Sequence, residues 1–246
     1  MRISVVIATA FRPAVLTRAL ASLRSQRDAD WEAWVVDDGD GAGAERARAL
    51  RDPRIHGIVN PGRGQVDARN AAIVRAEGDA ICWLDDDDWL EDAGHLRAIA
   101  DALAGGPALL HRGGWLVAVD DDGQETGRDA FDLPADADSL RRDNTLLNPG
   151  LAYPRALHRE LGLLDRELDG YYDWDWYLRV TAAGVPLRQL AGLGVAYRVH
   201  PGNRSRRPSL DRERRFAALC AKHGLQTVMK HHVGVWLERS APDGSA

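Results

Sequence analysis

The chain has 246 residues, 45% of them hydrophobic and 28% charged, with a formal net charge of -5. That length supports one sizeable domain, alone or with a small appendage, and a core that needs no covalent staple. Cys82 and Cys220 are the only cysteines, which excludes a disulfide framework and a four-cysteine zinc site, and the acidic balance argues against a generally basic nucleic-acid binder.

The predicted elements alternate. Residues 3–8 form a β-branched apolar run of the kind buried on both faces of a parallel sheet. Pro13 suits a first helical turn, and Val15, Leu16, Ala19, Leu20 and Leu23 recur at helical spacing. A second strand at 34–36 ends in Asp37-Asp38-Gly39. A helix follows over 42–50, a strand over 55–59, a helix over 66–76 and a strand over 81–84. This alternation predicts an α/β fold, a mostly parallel sheet of right-handed βαβ units flanked by helices. After residue 105 the pattern changes. Residues 109–119 read as extended, 120–123 as a turn, and 123–145 as a polar stretch without period, either a mobile loop or a surface excursion. A helix over 172–183 and a short strand over 196–199 follow. No run is long enough to span a membrane, and the apolar run at 3–10 is too short for a signal peptide.

Chemistry concentrates where strands end. Ligands of open α/β sheets bind at the carboxyl ends of strands, and here those ends carry Thr9, Asp37-Asp38 and the run Asp85-Asp86-Asp87-Asp88. Asp-Asp-Gly alone is ordinary turn chemistry. Four consecutive carboxylates are not, because they repel and raise one another's pKa unless a cation or hydrogen-bond donors neutralise them. The run abuts Leu84 and Trp89, so it is not a solvated tail. It predicts a site for a hard, oxygen-seeking cation, Mg²⁺, Mn²⁺ or Ca²⁺, whose open positions take phosphate oxygens of a nucleotide or sugar nucleotide. The chain has no GxxxxGK[ST] loop, and residues 60–64 do not match GxGxxG.

In order along residues 2–205, the segments VVIATAFRP (5–13), VVDDGDGAG (35–43), NPGRGQVDARNAAIVRAEGDAICWLDDDDW (60–89), GYYDWDWYLR (170–179) and YRVHPGNRS (197–205) resemble the family 2 glycosyltransferases of A-type, Rossmann-like fold. The resemblance implies a single glycosyltransferase domain over 1–205, with a nucleotide-sugar half at 1–105 and an acceptor half at 106–205, and a helical tail over 206–246. It implies that Thr9 and Asp38 contact the base, with Asp37 beside them, and that Arg69 approaches base and diphosphate. Asp86 would face the ribose and Asp87 would bind Mn²⁺ or Mg²⁺, with Asp85 or Asp88 sharing that duty and His200 completing the metal or diphosphate site. Asp173 takes the place of the catalytic base, although the family's usual Glu-Asp is Tyr172-Asp173 here. Asp175 is the competing carboxylate, unless it only stabilises a helix N-terminus. Tyr172 or Trp174 would wall the acceptor, while Trp176 reads as core.

The implied reaction is inverting transfer from a nucleoside-diphosphate sugar, UDP foremost, to a carbohydrate or lipid-linked acceptor in cell-envelope polysaccharide assembly. A nucleotidyltransferase and a nucleotide-sugar-binding protein without catalysis are the competing expectations. The expected location is cytoplasmic or at the inner face of the membrane. The cluster Arg204, Arg206, Arg207, Arg212, Arg214 and Arg215 reads either as the solvated face of a docked helix or as a peripheral contact with anionic lipid.

Overall fold

The computed structural model describes residues 1–120, 122–200 and 209–229. In chain order the elements are β1 (Arg2–Thr9), α1 (Leu16–Arg24), β2 (Asp30–Asp37), α2 (Ala42–Ala49), β3 (Ile55–Val59), α3 (Gly64–Arg75), β4 (Ala80–Trp83), β5 (Trp89–Leu90) and α4 (His95–Ala104). The second half adds β6 (Leu109–Val119), β7 (Glu125–Phe131), α5 (Ala137–Leu140), β8 (Ala152–Pro154), α6 (Leu157–Leu161), α7 (Tyr172–Ala182), β9 (Leu187–Val199) and α8 (Leu210–His223). One sheet in the order β3-β2-β1-β4-β8-β6-β9-β5, with β7 on β6, runs through both halves.

The first four strands are parallel, in the order 3-2-1-4. Side chains of β1 alternate between two cores: Ile3, Val5 and Ile7 join Leu20, Leu23, Leu96 and Ile99 from α1 and α4, whereas Val6 and Ala8 join Val66, Ala72 and Ile73 from α3. A strand apolar on both faces therefore sits at the sheet's centre, covered by helices on either side. β8 enters antiparallel beside β4 and carries the sheet over to β6 and β9.

Three sequence expectations change here. β2 starts at Asp30 rather than 34, because Glu32 is buried within it. Ser4 Oγ (2.6 Å) and the amide of Glu77 (2.7 Å) donate to its carboxylate, and Arg2 lies 3.2 Å away. Residues 123–145 are a surface excursion that carries regular structure of its own. β7 pairs antiparallel with β6 with an exposed outer face, and α5 begins in a reciprocal Asp136–Ser139 capping box. β9 is thirteen residues long; its pairing with β6 shifts register at Gly113, and its glycines hid it from a periodicity reading.

The described part of the tail is a docked helix. Leu219 is buried with Phe216 and Cys220 against α7's core. Arg212 donates to Tyr171 Oη (3.0 Å) and Arg215 to the carbonyl of Asp169 (3.1 Å), so these two arginines are committed to the protein. Arg204, Arg206 and Arg207, and the expected boundary at 205, lie outside the described residues. Among the described residues no helix is long and apolar enough to cross a membrane.

Candidate active site

Parallel pairing aligns the carboxyl ends of β1, β2 and β4 on one edge, with Thr9 opposite Asp37. The four aspartates leave β4 there, and each meets different partners. Asp85 accepts from the buried guanidinium of Arg69 and, on both oxygens, from Asn148 Nδ2 (3.0 Å each). Asp86 accepts from Thr9 Oγ1 (2.7 Å) and Arg12 (2.5 Å). Asp87 lies 2.8 Å from Arg12 and 3.3 Å from His200 Nε2. Asp88 is buried; its Oδ1 accepts from the amide of Arg198 (2.8 Å), which fixes the end of β9 two residues before His200.

The electrostatics follow these partners. Burial, reinforced by Asp87 and Asp85, pushes the Asp86 carboxyl up to about 6 against the pull of Arg12 and Thr9. Burial also opposes charge on Asp87, but the bonds from His200 and Arg12 outweigh it and hold that carboxyl below the ordinary value. Asp88, enclosed and facing Asp87 and Asp85, is driven well above. For Arg69, burial is outweighed by Tyr172, Asp85 and Asp173, so its charge is held firmly.

The expected nucleotide residues divide. Asp38 accepts from Asn60 Nδ2 (2.7 Å) and the amide of Gly64 (2.8 Å), which ties the end of β2 to the start of α3 at the sheet edge. Asp37 is corrected: it is fully buried, and its oxygens accept from the amides of Gly39 (2.7 Å), Gly43 (2.7 Å) and Ala44 (3.3 Å). It holds the turn and the first turn of α2 rather than facing a ligand.

The metal expectation narrows in the same way. Asp85 has both oxygens committed to Asn148, and Asp88 Oδ2 is buried without a hydrogen-bond partner among the described residues. Asp85 nevertheless keeps 26% of its side-chain surface exposed, whereas Asp88 is enclosed. Among the described residues no three His, Cys, Asp or Glu side chains gather as a complete metal site. Asp87 and His200 do approach each other, one carboxylate and one imidazole. That pair suits a cation that draws its remaining ligands from a diphosphate and water.

Asp173 stands in the first turn of α7, where Asn144 Nδ2 donates to its Oδ2 (3.1 Å). Tyr172 and Trp174, expected to wall the acceptor, and the competing carboxylate Asp175 are all buried. Tyr172 lies with its ring 4.6 Å under the Arg69 guanidinium, so the residue in place of the family's glutamate props that arginine from below. Trp174 donates its indole N–H to the carbonyl of Leu140 (2.6 Å) and packs near Phe216. Asp175 accepts from Arg179 (2.9 Å), Lys222 (2.8 Å) and His223 (2.8 Å), joining α7 to α8. Trp176 is core, as expected, stacked on His158 at 4.2 Å.

Sequence reasoning missed Arg12, Asn144 and Asn148. Arg12 was within reach, a cation three residues after Thr9 in a segment already singled out. Single asparagines in an aperiodic stretch carry no such signal.

Residues 4–154 match the family model described as Glycosyl transferase family 2. An uncharacterized glycosyltransferase of Bacillus subtilis (strain 168), YwdF, is 29% identical over 245 residues, covering 97% of this chain and 90% of its own length. The putative colanic acid biosynthesis glycosyl transferase WcaA of Escherichia coli (strain K12) is 37% identical over 92 residues, 35% of this chain and 32% of its own. Among solved structures, S. aureus TarS 1-349 in complex with UDP-GlcNAc superposes with a TM-score of 0.70 at 18% identity, over 90% of this chain and 66% of that one. The longer TarS chain gives 0.67 at 19% identity, and this chain spans 39% of it. At such identities the likeness shows a common fold.

Proposed function

Because the chain belongs to glycosyl transferase family 2, we propose that it moves a sugar from a nucleoside-diphosphate sugar, UDP-linked, to an acceptor hydroxyl with inversion at the anomeric carbon. One observation carries this reading. The buried Arg69 guanidinium is bonded to Asp85 of the strand-end run, and its charge is held by Asp173 of α7 as well. The carboxylate suited to be a base and the strand-end run thus act on the charge of the same arginine. TarS bound to UDP and to UDP-GlcNAc supports the choice of nucleotide, and the likeness to WcaA, a putative colanic acid biosynthesis glycosyl transferase, favours a carbohydrate acceptor.

In this reading Asp38 and Thr9 border the base and Asp86 faces the ribose. Asp87 and His200 would hold Mn²⁺ or Mg²⁺, which neutralises charge developing on the leaving diphosphate. An Asp173 oxygen takes the proton of the acceptor hydroxyl as the hydroxyl's own oxygen attacks the anomeric carbon. The bond from that carbon to the β-phosphate oxygen breaks, and its electron pair leaves with the diphosphate. One base on one side requires no protein nucleophile, so the product is inverted. Asn144 orients the base by donating to Asp173 Oδ2.

Asp173→Asn preserves shape and removes the basic oxygen. Transfer should fall about 10²-fold or more, with UDP affinity in Mn²⁺ within twofold of the parent. Proton NMR of the parent's product should show the inverted anomer. A fully active Asp173→Asn enzyme, or a retained anomer, overturns the assignment.

A further inference from the structure

Arg12 bridges the two carboxylates that the proposed function assigns to the ribose and the cation. Its Nη2 lies 2.5 Å from Asp86 Oδ1 and its Nη1 2.8 Å from Asp87 Oδ2, and these carboxylates are its ion-pair partners among the described residues. Thr9 holds Asp86 Oδ2 and His200 reaches Asp87 Oδ2. Both oxygens of Asp86 and one of Asp87 are therefore taken. The guanidinium must withdraw before Asp86 Oδ1 or Asp87 Oδ2 can turn to a donor as proposed above.

The backbone builds this placement. Phe11 takes the left-handed conformation (φ 56°) and is 72% exposed, turning the chain after β1 so that Arg12 reaches back over the sheet edge. A left-handed phenylalanine is unfavourable and persists only where its surroundings impose it. Gly39 is part of that surrounding, since a Cβ there would lie 2.7 Å from the Phe11 amide nitrogen. The Arg12 side chain itself is 45% exposed, while Asp86 beneath it is buried. It therefore sits on the carboxylates from the solvent side.

Resting on the function proposed above, we propose that Arg12 is a displaceable counter-ion: it neutralises Asp86 and Asp87 while no donor is bound, and moves onto the donor's diphosphate when nucleotide and metal enter. A guanidinium suits both states, because its planar fork matches carboxylate and phosphate alike. A divalent cation arriving alone must compete with it. A cation arriving with a diphosphate gives the guanidinium a new partner, so metal and nucleoside diphosphate bind cooperatively.

The test is Arg12→Met, which keeps the apolar stem and removes the charge. Mn²⁺ binding is measured by electron paramagnetic resonance without nucleotide, and UDP and uridine binding by calorimetry with and without Mn²⁺. Loss of one charge beside two carboxylates should tighten Mn²⁺ alone about tenfold and weaken UDP in Mn²⁺ about tenfold. Uridine, which has no phosphate, should bind no more weakly than to the parent. Arg12→Lys, a point charge that cannot bridge both carboxylates, should show the same shifts at smaller amplitude, and it serves as the test should Arg12→Met not fold. A parent that binds Mn²⁺ and UDP while neither variant changes Mn²⁺ affinity overturns this inference alone. A parent that binds no nucleoside diphosphate overturns the proposed function and this inference with it.

Discussion

Asp175 is the carboxylate on which the junction of α7 and α8 turns. It is fully buried, and it receives Arg179 Nε at 2.9 Å, Lys222 Nζ at 2.8 Å and His223 Nε2 at 2.8 Å. Asp175→Asn keeps the volume and one acceptor but removes the charge. Stripping one partner from a buried ion pair costs about 3–5 kcal/mol. The upper end does not apply, because Lys222 is 37% exposed and can be rehydrated, and it keeps Asp165 at 2.7 Å. About 3 kcal/mol remains, or roughly 6–12 °C in Tm for a chain of this size. The pH dependence has a definite sign. Burial opposes ionisation of Asp175, but His223, Lys222 and Arg179 overcome it, so its folded pKa is depressed. Its contribution is therefore complete above the unfolded carboxyl pKa of about 4 and disappears as pH falls through the lower folded value. Urea titrations of parent and variant should differ most at pH 6–7 and converge in acid. A difference under about 0.5 kcal/mol at pH 7, or one that does not shrink below pH 4, refutes this account.

Two further outcomes follow from the packing. Arg69→Met removes the charge shared between Asp85 and Asp173 and leaves the Asp85 carboxylate with Asn148 alone. Transfer should drop at least tenfold and stability by about 2–4 kcal/mol, read by initial rates and urea melts; a fully active variant detaches Arg69 from the site. Gly57→Ala in β3 should lower stability by about 1–3 kcal/mol, because the new Cβ collides with the carbonyl of Ala44 in α2. An unchanged melting temperature shows that α2 can retreat from β3 without cost.

The halves of the fold differed in how legible they were. β1, β3, β6 and α3 could be located within a residue or two because their apolar letters mark strand or helix and most of them are buried. Glu32 shows why β2 was cut short: a charged letter marks exposure unless donors arrive from elsewhere, and here they come from Ser4, Glu77 and Arg2. β7 carries no apolar alternation because one strand of a hairpin at the sheet's surface needs only its backbone partner, β6. Tyr172 and Trp174 misled for the opposite reason. Aromatic residues beside a candidate base suggest a sugar platform, yet a helix that carries the base inward must bury its other faces, and aromatic rings are what fill them.

Within the aspartate run the limit is sharper and has a physical cause. Four identical side chains in sequence carry no information about which of them meets a ligand, because successive residues leaving a strand point in different directions. What distinguishes them is the partner each finds, and those partners lie between 16 and 113 positions away in the chain. Arg69 and Asn148 make Asp85 a link between the donor edge and α7, since Asn148 Oδ1 also accepts from Tyr177 Oη (3.3 Å). The amide of Arg198 makes Asp88 the anchor of β9, which in turn delivers His200 to Asp87. Only Asp86 and Asp87 meet a partner exposed enough to leave. Asp85 and Asp88 thus serve as structural ties, while Asp86 and Asp87 share Arg12 as their common partner.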